Sequence, residues 1–433
     1  MSATIVLNAN DSPLPAAALP AKSARYQMLD FWRGASCLSL VVFHATMQLV
    51  HQGISFEGSA WDNVGAALTA VVARSWIGVP IFFVISGYCV MATIDSRRRK
   101  SASISDYAYR RFRRIYPPYL IALAVSCAAI YVVERFVYPG VLTGGIFTIP
   151  HLGELSIWQW LGNFTLTETW RPYVVGGGTS MILPNTWTLC YEEQFYALAG
   201  IILFAAPRRI FLAAVGVTGF SIVAKVAAKL AGVHLEGLIF DGRWLLVAAG
   251  ILAYYRINYA TVGQTRIIYG LLFLGALLAD RDPRMLMSVE PNHSIERLVA
   301  YSFALLICVL YPLDRKMSGW KILAPITACG QMSYSIYLMH PIITKGISHG
   351  MFLAGWNDAF STIFVVVPLC IGTSLLAAEL FYRLVERHFV NAPTSAKSSS
   401  APPSSTDASM VVPRRQAADT FAADHHHTPV TAP

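Results

Sequence analysis

An all-α polytopic membrane protein, with about ten transmembrane helices and both termini in the cytoplasm, is the fold class this sequence predicts. Three observations predict it. Of the 433 residues, 55% are apolar and only 13% charged, with a mean hydropathy of +0.50; soluble domains carry roughly twice that charge fraction. Ten apolar runs approach the ~20 residues a helix needs to cross a bilayer. Basic residues cluster between alternate runs, as they do in cytoplasmic loops.

The candidate spans fall near 28–50, 75–95, 115–137, 187–206, 210–230, 242–256, 266–280, 297–313, 322–343 and 359–384. The sixth and seventh are short. With the N-terminus inside, Arg97–Lys100, Arg110–Arg114, Arg208–Arg209, Arg256–Arg266 and Arg315–Lys321 all become cytoplasmic. The larger share of the 33 Lys and Arg then lies inside, and the reverse orientation would invert that bias. Residues 1–24 are rich in Ala, Pro and Ser and lack the apolar core of a signal peptide. Residues 391–433 are Ser/Ala/Pro/Thr-rich. Both are expected to be disordered cytoplasmic tails flanking one membrane domain at 25–390. The His425–His427 run is assigned to the low-complexity tail.

The net charge of +9 follows from the cytoplasmic loops and excludes no membrane class; no nucleic-acid partner is expected. The seven cysteines lie in or beside apolar runs, are odd in number and lack metal-ligand spacing. Packing thiols are expected, with no disulfide framework and no metal. The longest external segment, 138–186, contains an amphipathic piece, Leu155–Leu166, and a Gly176-Gly177-Gly178 turn. It would serve as an interfacial anchor or as a lid over an external site.

Polar residues inside spans form two layers. Ionisable groups are costly in hydrocarbon and face a protein interior or a water-filled cavity. Asp30 and Arg33 open the first span, and Arg110, Arg111, Arg113 and Arg114 precede the third. Arg111 and Arg114 are three apart, on one helical face. Such a pair suits bidentate phosphate binding; the same spacing also serves as a plain positive-inside anchor. The outer layer holds His44 in the first span, Glu192 and Glu193 at the start of the fourth, and His340 in the ninth. His44 lies eleven residues beyond Arg33, roughly 16 Å along a helix. Glu192 shares a face with Phe195 and Tyr196, so it is the carboxylate expected to point inward. A neutral imidazole oriented by a carboxylate is a general base for a hydroxyl. The second span carries Ser86-Gly87-Tyr88, whose small pair allows close helix approach or backbone contact with a ligand.

With LDFWRG followed by His44, then GVPIFFVISGY, RRFRRIYPPY, NTWTLCYEEQFY and SYSIYLMHP in this order, the chain resembles the acyltransferase-3 family of integral-membrane acyltransferases over most of 25–390. The resemblance implies transfer of an acyl group, commonly acetyl, from cytoplasmic acyl-CoA to a hydroxyl of a carbohydrate or glycoconjugate acceptor. It implies that His44 is the essential histidine and Arg33 its companion on the same helix; Glu192 and His340, at a depth similar to that of His44 on two other spans, are expected to complete the catalytic layer. The resemblance also implies that Arg33, Arg111, Arg114 and the Ser86-Gly87-Tyr88 element hold acetyl-CoA. Tyr88 stands where the family usually has Phe. Attack by the acceptor hydroxyl and a covalent acyl-histidine both remain open. Some members carry a fused extracytoplasmic SGNH domain. This chain is expected to have none, so that transfer finishes in the membrane domain or on a separate partner. The expected location is the cell inner (plasma) membrane, with membrane lipid as a partner. A transporter or flippase for a lipid-linked or sugar substrate is the alternative, because intramembrane His, Arg and Glu also suit ion coupling.

Overall fold

The computed structural model describes residues 26–52, 60–100, 103–146, 148–233, 235–277 and 293–390. The tails at 1–24 and 391–433, with His425–His427, lie outside the described residues. Those residues are predominantly helical and contain no strand. Helix α1 spans Leu29–Gln52, α2 Ala60–Val72, α3 Gly78–Arg99 and α4 Ile104–Val132. A short helix α5, Ile157–Thr165, is followed by α6 at Trp187–Ala205, α7 at Ile210–Leu230 and α8 at Trp244–Asn258. Then come α9 at Val262–Leu277, α10 at His293–Leu310, α11 at Ala324–Gln331, α12 at Ser333–Leu353 and α13 at Val367–Phe381.

Six helical stretches among the described residues are long and apolar enough to cross a membrane: Leu29–His51, Asn63–Arg99, Ile104–Val137, Pro207–Leu230, Ile295–Met317 and Ala359–Val390. Helices α8 and α9 are apolar but shorter. The fourth expected span is helical, as α6, but is not among the six. The ninth differs more. Its run at 322–343 is broken at Met332, where α11 ends, and α12 continues past it to Leu353. The polar groups that mark these two runs as sites, Glu192, Glu193 and His340, are also what interrupts their apolarity.

Apolar side chains of α7, including Leu212, Val215, Phe220 and Val223, are exposed, as are Leu120, Ile121 and Val125 of α4. A girdle of this kind suits lipid rather than water. Helix α1 packs on α3, α11, α12 and α13, and the main buried apolar cluster runs through α3, α4, α6, α8 and α10. Two crossings depend on glycine. A Cβ on Gly34 would overlap the Ile326 carbonyl, and one on Gly330 would overlap the Asp30 carbonyl. Helices α1 and α11 therefore meet backbone to backbone. Gly34→Val drives a side chain into main chain that has nowhere to retreat. The expected result is loss of the folded, monodisperse species in detergent, read by size-exclusion chromatography. A wild-type profile would show that the crossing can open.

Helix α4 starts at Ser103, whose hydroxyl accepts from the Ser105 amide at 3.2 Å. It runs through Pro117 and Pro118. Those prolines have no N–H, so they free the carbonyls four residues earlier, at Arg113 and Arg114. All seven cysteines are unpaired, and five are buried.

Candidate functional site

Helices α1, α3, α4, α6 and α12 wall a cavity of about 740 Å³. Arg33, His44, Ser86, Tyr88, Arg111, Arg114, Glu192 and His340 all line it. Residues far apart in sequence thus reach one space because α1 contributes both Arg33 and His44, roughly 16 Å apart along its axis.

At the basic end, Arg33 forms an ion pair with Asp30 at 3.2 Å and donates to Cys89 Sγ at 3.0 Å. Arg111 lies over the Tyr196 ring at 4.5 Å and the Tyr107 ring at 5.9 Å, and donates to Thr93 Oγ1 at 3.3 Å. These contacts fix the guanidinium plane at the cavity wall. The four basic residues before the third span do not share one role. Arg113 donates to the His388 carbonyl at 3.1 Å, and Arg110 is exposed; neither lines the cavity.

At the other end, the His44 and His340 rings stand 5.3 Å apart, centroid to centroid. His340 Nδ1 lies 2.8 Å from the Ile336 carbonyl. A carbonyl only accepts, so in the neutral ring Nδ1 carries the hydrogen and Nε2 keeps its lone pair. Glu192 lines the cavity, whereas Glu193 does not. Its Oε1 accepts from Ser86 Oγ at 2.9 Å and from the Tyr196 hydroxyl. The carboxylate is therefore held by hydroxyls of α3 and α6, and Tyr196 links it to Arg111. The histidine that stands against His44 comes from α12. A second cavity, of about 30 Å³, also borders His44 and is walled by Gln48, Thr344, Lys345 and Ser348 among others.

Of the residues expected to hold acetyl-CoA, Gly87 is the one that does not line the cavity. A Cβ there would overlap the Val247 carbonyl, and one on Gly250 would overlap the Val84 carbonyl. Gly87 thus lets α3 and α8 touch, which keeps its neighbours Ser86 and Tyr88 at the cavity wall. Sequence reasoning missed Trp76, Asn185, Tyr196, Glu296 and Tyr337, which also line it. Tyr196 and Asn185 fall inside the quoted motifs; Trp76 and Glu296 carry no local signal.

Of the expected external segment 138–186, Pro184 and Asn185 line the large cavity, and the other described residues of the segment do not. Helix α5 starts with a capping box between Ser156 and Gln159. It exposes Ile157, Trp158, Leu161 and Phe164, the apolar face that an interfacial anchor needs. Beneath it, Arg171 pairs with buried Glu168 at 2.8 Å and donates to the Gly176 and Gly178 carbonyls, each at 2.7 Å. The bond to Glu168 raises the Arg171 pKa, against the opposing effect of burial. Arg171→Ala leaves the buried Glu168 without its cation, held only by the Ser180 amide, which costs about 3–5 kcal/mol. The expected outcome is faster proteolysis within 138–186 and a lower melting temperature in detergent; unchanged protection would show that the Gly turn holds without its arginine.

Residues 26–382 match the model of the family described as "Acyltransferase domain". A protein of Acidianus two-tailed virus named as an acetyltransferase is 26% identical, over 77% of this chain and 87% of its own length. Acyltransferase MdmB of Streptomyces mycarofaciens is 23% identical, over 85% of this chain and 92% of its own. A Staphylococcus aureus protein named as an O-acetyltransferase is 21% identical over 85% of this chain, which spans only 58% of that relative's length. No solved structure matches significantly.

Proposed function

The chain belongs to the acyltransferase family whose model it matches over 26–382, and on that premise we propose that it moves an acyl group, acetyl first among candidates, from cytoplasmic acyl-CoA to a hydroxyl of a carbohydrate or glycoconjugate. The observation that carries this reading is that three arginines and two histidines line one cavity, the arginines toward one end of α1 and the histidines toward the other. A pantetheine arm has about the reach that separates them.

In this reading Arg111, Arg114 and Arg33 hold the CoA phosphates, and Tyr88 and Ser86 line the path of the arm. Gly87 is assigned to helix packing. The acceptor O–H gives its proton to His44 while its oxygen bonds to the thioester carbonyl carbon. The C–S bond then breaks, and the departing thiolate takes the proton back from His44. The products are the acyl ester and free CoA. His340 shapes the same space, and Glu192 anchors Tyr196 and Ser86. Enclosure of the site limits hydrolysis of the thioester by water. No metal is required by this chemistry.

The multi-pass arrangement is proposed to have about ten spans, with α6 and α12 crossing as polar-lined helices and both termini cytoplasmic. The tails 1–24 and 391–433 flank one membrane domain at 25–390, set among the lipids of the cell inner (plasma) membrane. Support comes from the basic loops, which a reversed orientation would place outside. The test is acceptor-dependent release of free CoA from acetyl-CoA by membranes containing the protein, with the label recovered as an ester on glycan. Movement of a lipid-linked or sugar substrate without CoA release would favour a transporter and sink this reading.

A further inference from the structure

Among the described residues that line the large cavity, three retain a buried polar side-chain atom with no hydrogen-bond partner: Trp76 Nε1, Asn185 Oδ1 and His340 Nε2. Their residues are 2%, 7% and 1% exposed. Unpaired buried polar atoms are rare, and each calls for an explanation such as a ligand. Their chemical identities follow from geometry. Asn185 Nδ2 donates to the Tyr337 carbonyl at 2.6 Å, so the amide oxygen is the free atom. His340 Nδ1 faces the Ile336 carbonyl, so Nε2 is a lone pair. An indole Nε1 only donates.

These atoms gather at the histidine end. Trp76 packs with Phe43, whose ring lies 5.2 Å from that of His44. Asn185 holds Tyr337, whose ring lies 6.5 Å from that of His340. To bond all three atoms, what fills this subsite must offer two donors and one acceptor. An acyl chain offers none; a ring bearing several hydroxyls offers all three.

We propose that Trp76, Asn185 and His340 form the acceptor subsite, and that they select a polyhydroxylated ring by bonding hydroxyls other than the one that reacts. The proposal rests on the acyltransferase reading above. One hydroxyl presents its proton to His44, and neighbouring hydroxyls satisfy the three atoms. The amide-bearing arm of CoA is the competing occupant, since it too carries donors and acceptors.

The test uses the purified full chain in nanodiscs with acetyl-CoA and a panel of methyl hexopyranosides. Wild type is expected to acetylate at least one glycoside. Trp76→Phe, which keeps an aromatic ring but loses the N–H, and Asn185→Ala are each expected to raise the KM for that glycoside about 10-fold. The KM for acetyl-CoA should stay within about two-fold. A rise in the acetyl-CoA KM instead would assign the three atoms to the donor arm and overturn the proposal. Unchanged glycoside KM values would make them packing atoms and overturn it equally. If wild type turns over acetyl-CoA but acetylates no glycoside, the acceptor class is wrong while the acyltransferase reading stands. If acetyl-CoA neither stabilises the protein against heat nor releases CoA, the underlying reading fails too. Should Asn185→Ala not fold, Trp76→Phe alone decides the matter.

Discussion

Replacing His44 with alanine is expected to lower acetyl transfer about 1,000-fold, the middle of the range that positioned general acid–base catalysis supplies. The imidazole borders both cavities and stands 5.3 Å from His340, centroid to centroid, so its removal opens space beside the reacting hydroxyl without cutting a helix crossing. Binding of acetyl-CoA should survive, because the arginines lie at the other end of the cavity. The measurement is CoA release by purified wild type and His44→Ala at matched melting temperature, with acetyl-CoA stabilisation as the control. Equal release would show that the catalytic centre lies elsewhere, and His340→Ala would be examined next. Incubation with labelled acetyl-CoA and no acceptor separates two chemistries: label trapped on the wild-type protein and lost with His44→Ala would establish an acyl-histidine and sink direct attack.

The second large effect is expected at the arginines. Arg111→Ala combined with Arg114→Ala should raise the KM for acetyl-CoA by about 10- to 100-fold, because hydrogen bonds to charged groups contribute about 1.5–3 kcal/mol. Acetylpantetheine, which lacks the nucleotide phosphates, separates binding from structure. Wild type and variant should use it equally if the arginines act on phosphate. Arg111 also rests on the Tyr196 ring, and Tyr196 bonds Glu192. A loss of the same size with acetylpantetheine would mean that the arginine acts by positioning that tyrosine and carboxylate. Lysine should not restore the site, since an ammonium lacks the planar fork.

Much of the candidate site was legible because charged and imidazole groups stand out against apolar runs. Arg33 and His44 needed only helical rise to be placed roughly 16 Å apart along α1. Glu192 was separable from Glu193 by helical phase alone, and only Glu192 lines the cavity. Tyr196, four residues further along α6, was within helical reach of that carboxylate; its second partner, Ser86, was not legible, because it depends on how α3 and α6 pack. Gly87 was ambiguous for a related reason: a glycine allows a ligand or a helix to approach, and here α8 is what approaches. Trp76 and Glu296 were invisible because tryptophan and glutamate at helix ends are ordinary until the fold brings them to a shared wall.

By itself, then, the sequence determined the all-helical, membrane-embedded class, the family, and the residue types available for chemistry. These follow from hydropathy, periodicity and local motif order, which are properties of neighbours along the chain. Only the tertiary structure decided that α11 and α12 are separate helices, that His340 stands against His44, and which polar atoms around them are left without partners. Those facts depend on contacts between residues as distant as Trp76, Asn185 and His340, and the packing of helices, not any one helix, sets such contacts.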